Sequence, residues 1–308
     1  MADGSVPQLV GVCGSGIMGA GLAEVVARAG TDVIVRSRSQ STIDAMLATI
    51  NGNLAKAVAK EKMTQSEMDT VLSHVRGTTN LADLHDCDLV IESIVEDLET
   101  KLTLFGELDA AVKPSAILAT NTSTLPVIKM AQATSRPDRV CGIHFFNPAV
   151  MMSLVEVVRA VTSSDETVAT ATAFVRHCGK DAVQVLDRAG FIVNALLFPY
   201  LNNAVRMWEA GTASMEDIDV AMRGGCNFPM GPFSLLDLVG LDTSLAILTA
   251  LHESFGDPNF APADTLKKLV TEGKLGRKTK HGFFAYSTRG RLGPRSHAGW
   301  RMPLGVPR

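Results

Sequence analysis

The sequence predicts an α/β fold: a mostly parallel sheet that carries a helical arm, followed by a smaller all-α domain. Three observations lead there. Short apolar, β-branched runs alternate with helical patterns through the first half of the chain, which is the signature of βαβ units. A glycine-rich turn, Gly14-Ser15-Gly16-Ile17-Met18-Gly19, separates the first of these runs from a helical one. From Phe191 onward the pattern is helical, broken at Gly211, Gly224-Gly225, Pro229-Met230-Gly231-Pro232 and Gly256-Asp257-Pro258. At 308 residues the chain exceeds what one core comfortably holds, so two unequal domains are expected.

Taken in order, strands are expected near Leu9–Cys13, Asp32–Arg36, Val75–Thr79, Asp88–Ser93, Ala116–Thr120 and Arg139–Phe145. Two more, Leu154–Val158 and Ala182–Leu186, extend the same domain. A helix capped by Ser164 or Asp165 and ended by Gly179 separates them. The stretch between the second and third strands, about 42–74, is too long for one crossover helix and breaks around Lys62-Met63-Thr64. Two helices fit it, the second opened by a Thr64-x-x-Glu67 capping box, and together they form the arm. Asp187-Arg188-Ala189-Gly190 marks a turn. The expected domains are therefore 1–188 and 189–287. The remaining 288–308 holds five arginines and no acid, and is expected to be a flexible basic tail.

Composition narrows the function. A formal net charge of -3 gives no reason to expect nucleic acid or an anionic membrane as partner. The five cysteines, Cys13, Cys87, Cys141, Cys178 and Cys226, lack metal-site or disulfide spacing and read as reduced core residues. No apolar stretch reaches membrane-span length and the first residues do not resemble a signal peptide. A soluble, cytoplasmic enzyme of small molecules, with no metal, is the expectation.

The glycine turn supplies the first chemistry. Gly14 allows the tight turn, Gly16 lets the backbone approach a pyrophosphate, and Gly19 lets helix pack on strand. The helix N-terminus, at Ile17 and Met18, adds a positive dipole. A strand before it and a helix ended by Gly30 after it make this a Rossmann-type dinucleotide site rather than an ordinary turn. At the end of the second strand, where an acidic residue would accept hydrogen bonds from the ribose 2′-hydroxyl, the chain has Arg36-Ser37-Arg38. Two guanidiniums and a hydroxyl suit a 2′-phosphate, which favours NADP. The alternative is that Arg36 stacks on the adenine and NAD is used.

Polar residues gather at the carboxyl ends of the later strands, where open α/β sheets bind ligands. They are Asn121-Thr122-Ser123-Thr124 and His144-Phe145-Phe146-Asn147-Pro148. Glu156 lies inside the apolar run Leu154–Val158, and a carboxylate there needs a partner. If the chain turns back at Pro148–Met152 and pairs antiparallel, residues whose numbers sum to 300 face each other, which sets His144 opposite Glu156. Such a dyad suits proton transfer coupled to hydride transfer, the carboxylate orienting the ring and stabilising the imidazolium. The plainer readings are a satisfied core histidine, a helix-capping Ser123 and an Asn194 bonded within its own helix.

Six motifs in order carry a resemblance that spans about Val10 to Tyr286. They are the glycine turn, Ile91-Glu92-Ser93-Ile94-Val95-Glu96-Asp97, Asn121-Thr122-Ser123-Thr124, His144-Phe145-Phe146-Asn147-Pro148, Gly190-Phe191-Ile192-Val193-Asn194, and Gly276-Arg277-Lys278-Thr279. The chain resembles the short-chain L-3-hydroxyacyl-CoA dehydrogenases, especially the bacterial 3-hydroxybutyryl-CoA dehydrogenases. The resemblance implies that His144 is the catalytic base, Glu156 its partner, and Ser123 and Asn194 the residues that hold the substrate carbonyl. It places Ser93, Glu96, Lys101, Ser123, Asn147 and Lys278 near the cofactor, and Lys60 on the coenzyme A phosphates. It also implies a homodimer through the C-terminal helical domain. Asn53, also expected at the substrate, stands where the family has a serine, and Arg36 stands where it has an acid. By composition alone Lys56, Lys60 and Lys62 are a solvated helix face.

The reading is an NAD(P)-dependent oxidoreductase interconverting a short-chain (3S)-3-hydroxyacyl-CoA, such as 3-hydroxybutyryl-CoA, and its 3-ketoacyl-CoA. The rivals are a dehydrogenase of a free hydroxy acid or sugar acid, and a non-catalytic dinucleotide-binding protein that keeps the fold.

Overall fold

A computed structural model describes residues 5–287 and 290–291. The chain divides into two compact units, Met1–Phe191 and Ile192–Arg308. The first is built on one sheet of eight strands: β1 (Leu9–Cys13), β2 (Asp32–Arg36), β3 (Val75–Thr78), β4 (Leu89–Glu92), β5 (Ile117–Thr120), β6 (Val140–Phe145), β7 (Leu154–Arg159) and β8 (Asp181–Leu186). Their spatial order is β3-β2-β1-β4-β5-β6-β7-β8. Every pairing is parallel except β6 with β7. Strand order reverses between β1 and β4, and both strands end there at the same edge of the sheet. That is where open α/β sheets form ligand crevices.

Helices cover both faces, so the strands read as continuous apolar runs rather than as alternating ones. On one face, Val10 and Val12 of β1, Leu89 and Ile91 of β4, and Ile143 of β6 pack in a single core cluster. Their helical partners come from α1 (Ile17–Arg28), α2 (Gln40–Ala59), α3 (Gln65–Ser73) and α6 (Asp165–His177). Cys13, Val90 and Leu118 point to the other face, against α4 (Leu98–Ala111) and α5 (Val127–Gln132). The α2–α3 pair is the arm. Thr64 and Glu67 form the reciprocal capping box, with Thr64 N donating to Glu67 Oε2 at 2.7 Å and Glu67 N to Thr64 Oγ1 at 3.2 Å.

The strand ends differ from the sequence reading by at most one residue, where pairing stops short of the apolar run in β3 to β6 and runs one residue past it in β7 and β8. The second unit is helical, with α7 (Val193–Glu209), α8 (Met215–Cys226), α9 (Pro232–Val239), α10 (Leu241–Phe255) and α11 (Asp264–Thr271). Two buried acids tie it together. Asp219 of α8 caps α9 by accepting from the amides of Phe233 and Ser234. Asp237 accepts from the amides of Phe283 and Phe284 and from the Tyr286 hydroxyl. Burial pushes the Asp237 carboxyl up from its ordinary value, against those bonds. The basic tail expected over 288–308 lies outside the described residues, apart from Gly290 and Arg291. These two pair antiparallel with Ser287 and Tyr286.

Candidate active site

The glycine turn leaves β1 and opens α1, and its three glycines have distinct reasons to be there. Gly14 has φ +117°, and a Cβ on it would sit 2.3 Å from the Ser93 carbonyl oxygen. A Cβ on Gly19 would come within 1.9 Å of the Gly14 carbonyl oxygen, so this glycine is what lets helix and turn touch. A Cβ on Gly16 would meet nothing within 4 Å. Gly16 is also the N-cap of α1 and gives it no side-chain cap, so the first amides of the helix face that open space. Ile17, first residue of α1, is 80% exposed. An uncapped helix start beside a space kept clear by glycine fits a dinucleotide pyrophosphate.

At the end of β2, Ser37 is buried and its hydroxyl is shared with Ser15 of the turn at 2.7 Å and with Thr42 at 2.6 Å. Ser37 therefore braces the glycine turn. Arg38 is exposed, whereas the Nε of Arg36 is buried without a hydrogen-bond partner. An orphaned guanidinium donor at the ribose end of the crevice fits an anionic or oxygen-rich ligand group.

β6 and β7 form the antiparallel pair, joined by the turn over 146–153. Its register sets Gly142 opposite Val158, Ile143 opposite Val157, His144 opposite Glu156 and Phe145 opposite Val155. His144 is 3% exposed and Glu156 fully buried, with Nδ1 and Oε2 2.7 Å apart. An ionised carboxylate only accepts, so the ring donates from Nδ1 and Nε2 is left as its basic nitrogen. Phe146 and Phe191 flank the imidazole, with ring centroids 4.5 and 5.5 Å away. The turn is held from outside by Lys180, whose ammonium donates to the carbonyls of Ala149, Val150 and Met152 at 2.9, 3.2 and 2.8 Å. Asn147, next to Phe146, is exposed.

Beside the dyad, the loop after β5 is drawn against the loop after β4. Asn121 Oδ1 accepts from the Phe145 amide at 2.8 Å, which links this loop to the residue after His144. Glu96 Oε1 accepts from the Thr122 hydroxyl and from the Ser123 amide, the latter at 3.0 Å. Its Oε2 lies 3.1 Å from the Lys101 ammonium. Burial alone would push the Glu96 carboxyl up, but the Lys101 charge and the bonds from Thr122 and Ser123 outweigh it and hold the group below its ordinary value. Helix α5 begins from Pro126, so Ser123 is not its cap.

Other expected residues stand elsewhere. Lys101 is 1% exposed, its ammonium shared between Glu92 at 2.6 Å and Glu96, so it supports the site from beneath rather than lining it. Asn53 donates to Glu24 at 3.1 Å, and Glu24 is held by Arg28; the amide thus fastens α2 to α1. Lys60, the C-cap of α2, is exposed. Asn194, second residue of α7, and Lys278, paired with Asp242 at 2.6 Å, belong to the second unit. Sequence reasoning gave Glu92 and Thr122 no role beyond their motifs and missed Glu24 and Lys180. Among the described residues no group of three or more His, Cys, Asp or Glu could hold a metal. No single helix there is long and apolar enough to cross a membrane.

Comparison with known proteins bears on this arrangement as a whole. Residues 9–188 match the model of the 3-hydroxyacyl-CoA dehydrogenase NAD binding domain, and 190–286 that of the 3-hydroxyacyl-CoA dehydrogenase C-terminal domain. The chain is 46% identical over 276 residues to a 3-hydroxybutyryl-CoA dehydrogenase of Clostridioides difficile, covering 90% of this chain and 98% of that one. The crystal structure of M. tuberculosis FadB2 is similar at a TM-score of 0.90 and 45% identity, over 92% of this chain and all of that one. The (S)-3-hydroxybutyryl-CoA dehydrogenase PaaH1 of Ralstonia eutropha gives a TM-score of 0.89 at 38% identity, with the same coverage.

Proposed function

The chain belongs to the 3-hydroxyacyl-CoA dehydrogenase family, and from that premise we propose that it interconverts short-chain (3S)-3-hydroxyacyl-CoA and 3-ketoacyl-CoA. The observation that carries the reading is the buried 2.7 Å hydrogen bond between His144 and Glu156 at the carboxyl edge of the sheet. The nicotinamide cofactor, when bound, supplies the hydride acceptor for oxidation and the donor for reduction. In oxidation, His144 Nε2 takes the substrate hydroxyl proton as the hydride departs from C3. Glu156 fixes the tautomer and stabilises the imidazolium that forms. In reduction the imidazolium returns the proton to the carbonyl oxygen. Ser123 hydrogen-bonds that oxygen, and Lys60 meets the coenzyme A phosphates. Gly14, Gly16, Ile17, Met18 and Gly19 hold the pyrophosphate.

Replacing His144 by Gln should lower kcat about 10²–10⁴-fold, the share of a positioned acid–base group. An unchanged kcat for acetoacetyl-CoA reduction would refute the assignment.

The ribose end supports a finer statement, that the site accepts NADP(H) as well as NAD(H). Arg36 puts a guanidinium where a carboxylate would exclude a 2′-phosphate, and its buried Nε lacks a partner. Arg36→Asp should raise KM for NADPH by at least about tenfold while leaving NADH turnover in place, the loss of one charged pair being worth roughly 1.5–3 kcal/mol. Equal KM values for NADPH before and after the change would sink the idea. A homodimer through the second unit belongs to the same reading. Leu196, Met207, Val220 and Phe228 stand exposed on or beside its helices, and a monomeric mass by light scattering would contradict it.

A further inference from the structure

Glu92 has no part in the mechanism above, yet both oxygens of its buried carboxylate are bonded. It ends β4, opposite Thr120 at the end of β5, and is fully buried. One carboxylate oxygen accepts from the Ile94 amide at 2.7 Å and from the Lys101 ammonium at 2.6 Å. The other accepts from the Thr120 hydroxyl at 2.7 Å. That hydroxyl also accepts from the Thr122 amide at 3.1 Å. Glu92 is therefore bonded to both loops that follow the two central strands.

A lysine as buried as Lys101 must keep its charge paired, and its second partner, Glu96, is much more open, with a side chain 40% exposed. Glu92 fixes where the ammonium sits, the ammonium fixes one oxygen of Glu96, and the other oxygen takes the Thr122 hydroxyl and the Ser123 amide. Without the first link, Glu96 still takes the hydroxyls and amides of the Thr122–Thr124 loop, but this half-exposed side chain loses its anchor to β4, so Glu96 and the loop are free to shift together.

We propose that Glu92 is a positioning residue for the reaction. Through Lys101 it anchors Glu96, and with it the Thr122–Thr124 loop, to β4 and so sets Ser123 against the substrate. The proposal rests on the dehydrogenase reading, in which Ser123 contacts substrate. Glu92 itself touches no reacting atom. A bare scaffolding role would affect stability alone, whereas this one acts through a single hydroxyl.

The test is a double-mutant cycle in the full chain, read as NADH oxidation by acetoacetyl-CoA. Glu92→Gln keeps the shape and the bond to Thr120 while removing the charge opposite Lys101. It should lower kcat by up to about 10²-fold, the effect of a displacement near 1 Å at a positioning group, with KM for NADH within about twofold of wild type. In a Ser123→Ala background the same change should cost almost nothing further. Should Glu92→Gln fail to fold, Glu92→Gln with Lys101→Met removes the buried charges together and is the less disruptive pair. It also leaves Glu96 without its anchor and should show the same non-additive loss. Full kcat in either folded variant, or losses that simply multiply with Ser123→Ala, overturns the proposal and leaves the dehydrogenase reading standing. A wild-type chain that reduces no 3-ketoacyl-CoA overturns both.

Discussion

Two glycines three residues apart in the same turn should respond to alanine in opposite ways. At Gly19 the new methyl would lie 1.9 Å from the Gly14 carbonyl oxygen. Restoring an ordinary contact moves the start of α1 or the turn by roughly 1 Å or more. Neither side yields easily, because Gly14 is itself pressed against the Ser93 carbonyl. Overpacking of this kind costs up to about 3 kcal/mol. The helix propensity gained by replacing glycine returns about 1 kcal/mol. A net loss of about 2 kcal/mol lowers Tm by about 4–8 °C in a unit of this size. At Gly16 the methyl meets no protein atom, and only a weaker N-cap is lost, about 0.5–1 kcal/mol. That methyl does stand in the space the pyrophosphate needs, so Kd for NADH should rise at least about tenfold. Differential scanning calorimetry and titration of NADH fluorescence read the two quantities separately. A Gly16→Ala protein that binds NADH as wild type does would refute the role of the turn. A Gly19→Ala protein with unchanged Tm would refute the packing argument.

Two further outcomes follow from the geometry. Lys180→Met leaves the carbonyls of Ala149, Val150 and Met152 without their shared donor, and should cost about 1–3 kcal/mol in urea unfolding together with a fall in kcat. An unchanged midpoint with unchanged kcat would remove Lys180 from the account of the turn. Acidification should destabilise the first unit. Burial alone would raise the carboxyls of Asp88, Glu96 and Asp109. Bonds and charges from Lys113, Lys101 and Arg136, with nearby amides and hydroxyls, hold all three below their ordinary values instead. Each group thus adds stability above its unfolded pKa of about 4 and loses it as pH falls through the lowered folded value. Circular dichroism between pH 6 and 2 checks this, and a chain more stable at pH 3 than at pH 6 would contradict it.

The central strands were legible because both faces of the sheet are covered there, so each appears in the sequence as a bounded apolar run, while β3 and β8 at the two edges keep exposed positions. The dyad was legible for a different reason. A carboxylate in the middle of such a run needs a partner, and a turn back at Pro148–Met152 with antiparallel pairing sets His144 opposite it, which is the register the two strands adopt. The ion pairs of Lys101 had no signal in the sequence, because a lysine in a helix gives no sign of burial. Only the fold brings it under Glu92 and Glu96, and neither spacing has a helical or strand period. The bond from the Asn53 amide to Glu24, twenty-nine residues earlier, had no such signal either, since only the packing of α2 on α1 brings them together. Lys180 had no signal to find, since its partners are backbone carbonyls and these are the same whatever the residue.

The β6–β7 pairing makes the dyad a matter of parity. Side chains alternate faces along a strand, so His144 and Glu156 meet only in the register whose paired numbers sum to 300, with the eleven residues 145–155 between them. A turn lengthened by two residues can keep the carboxylate on the face of the imidazole. A change that slips β7 by one residue turns Glu156 to the far side of the sheet and brings Val155 or Val157 up in its place. Loop grafts at 146–153 are therefore constrained to leave that register unchanged, although no residue of that turn need touch a substrate.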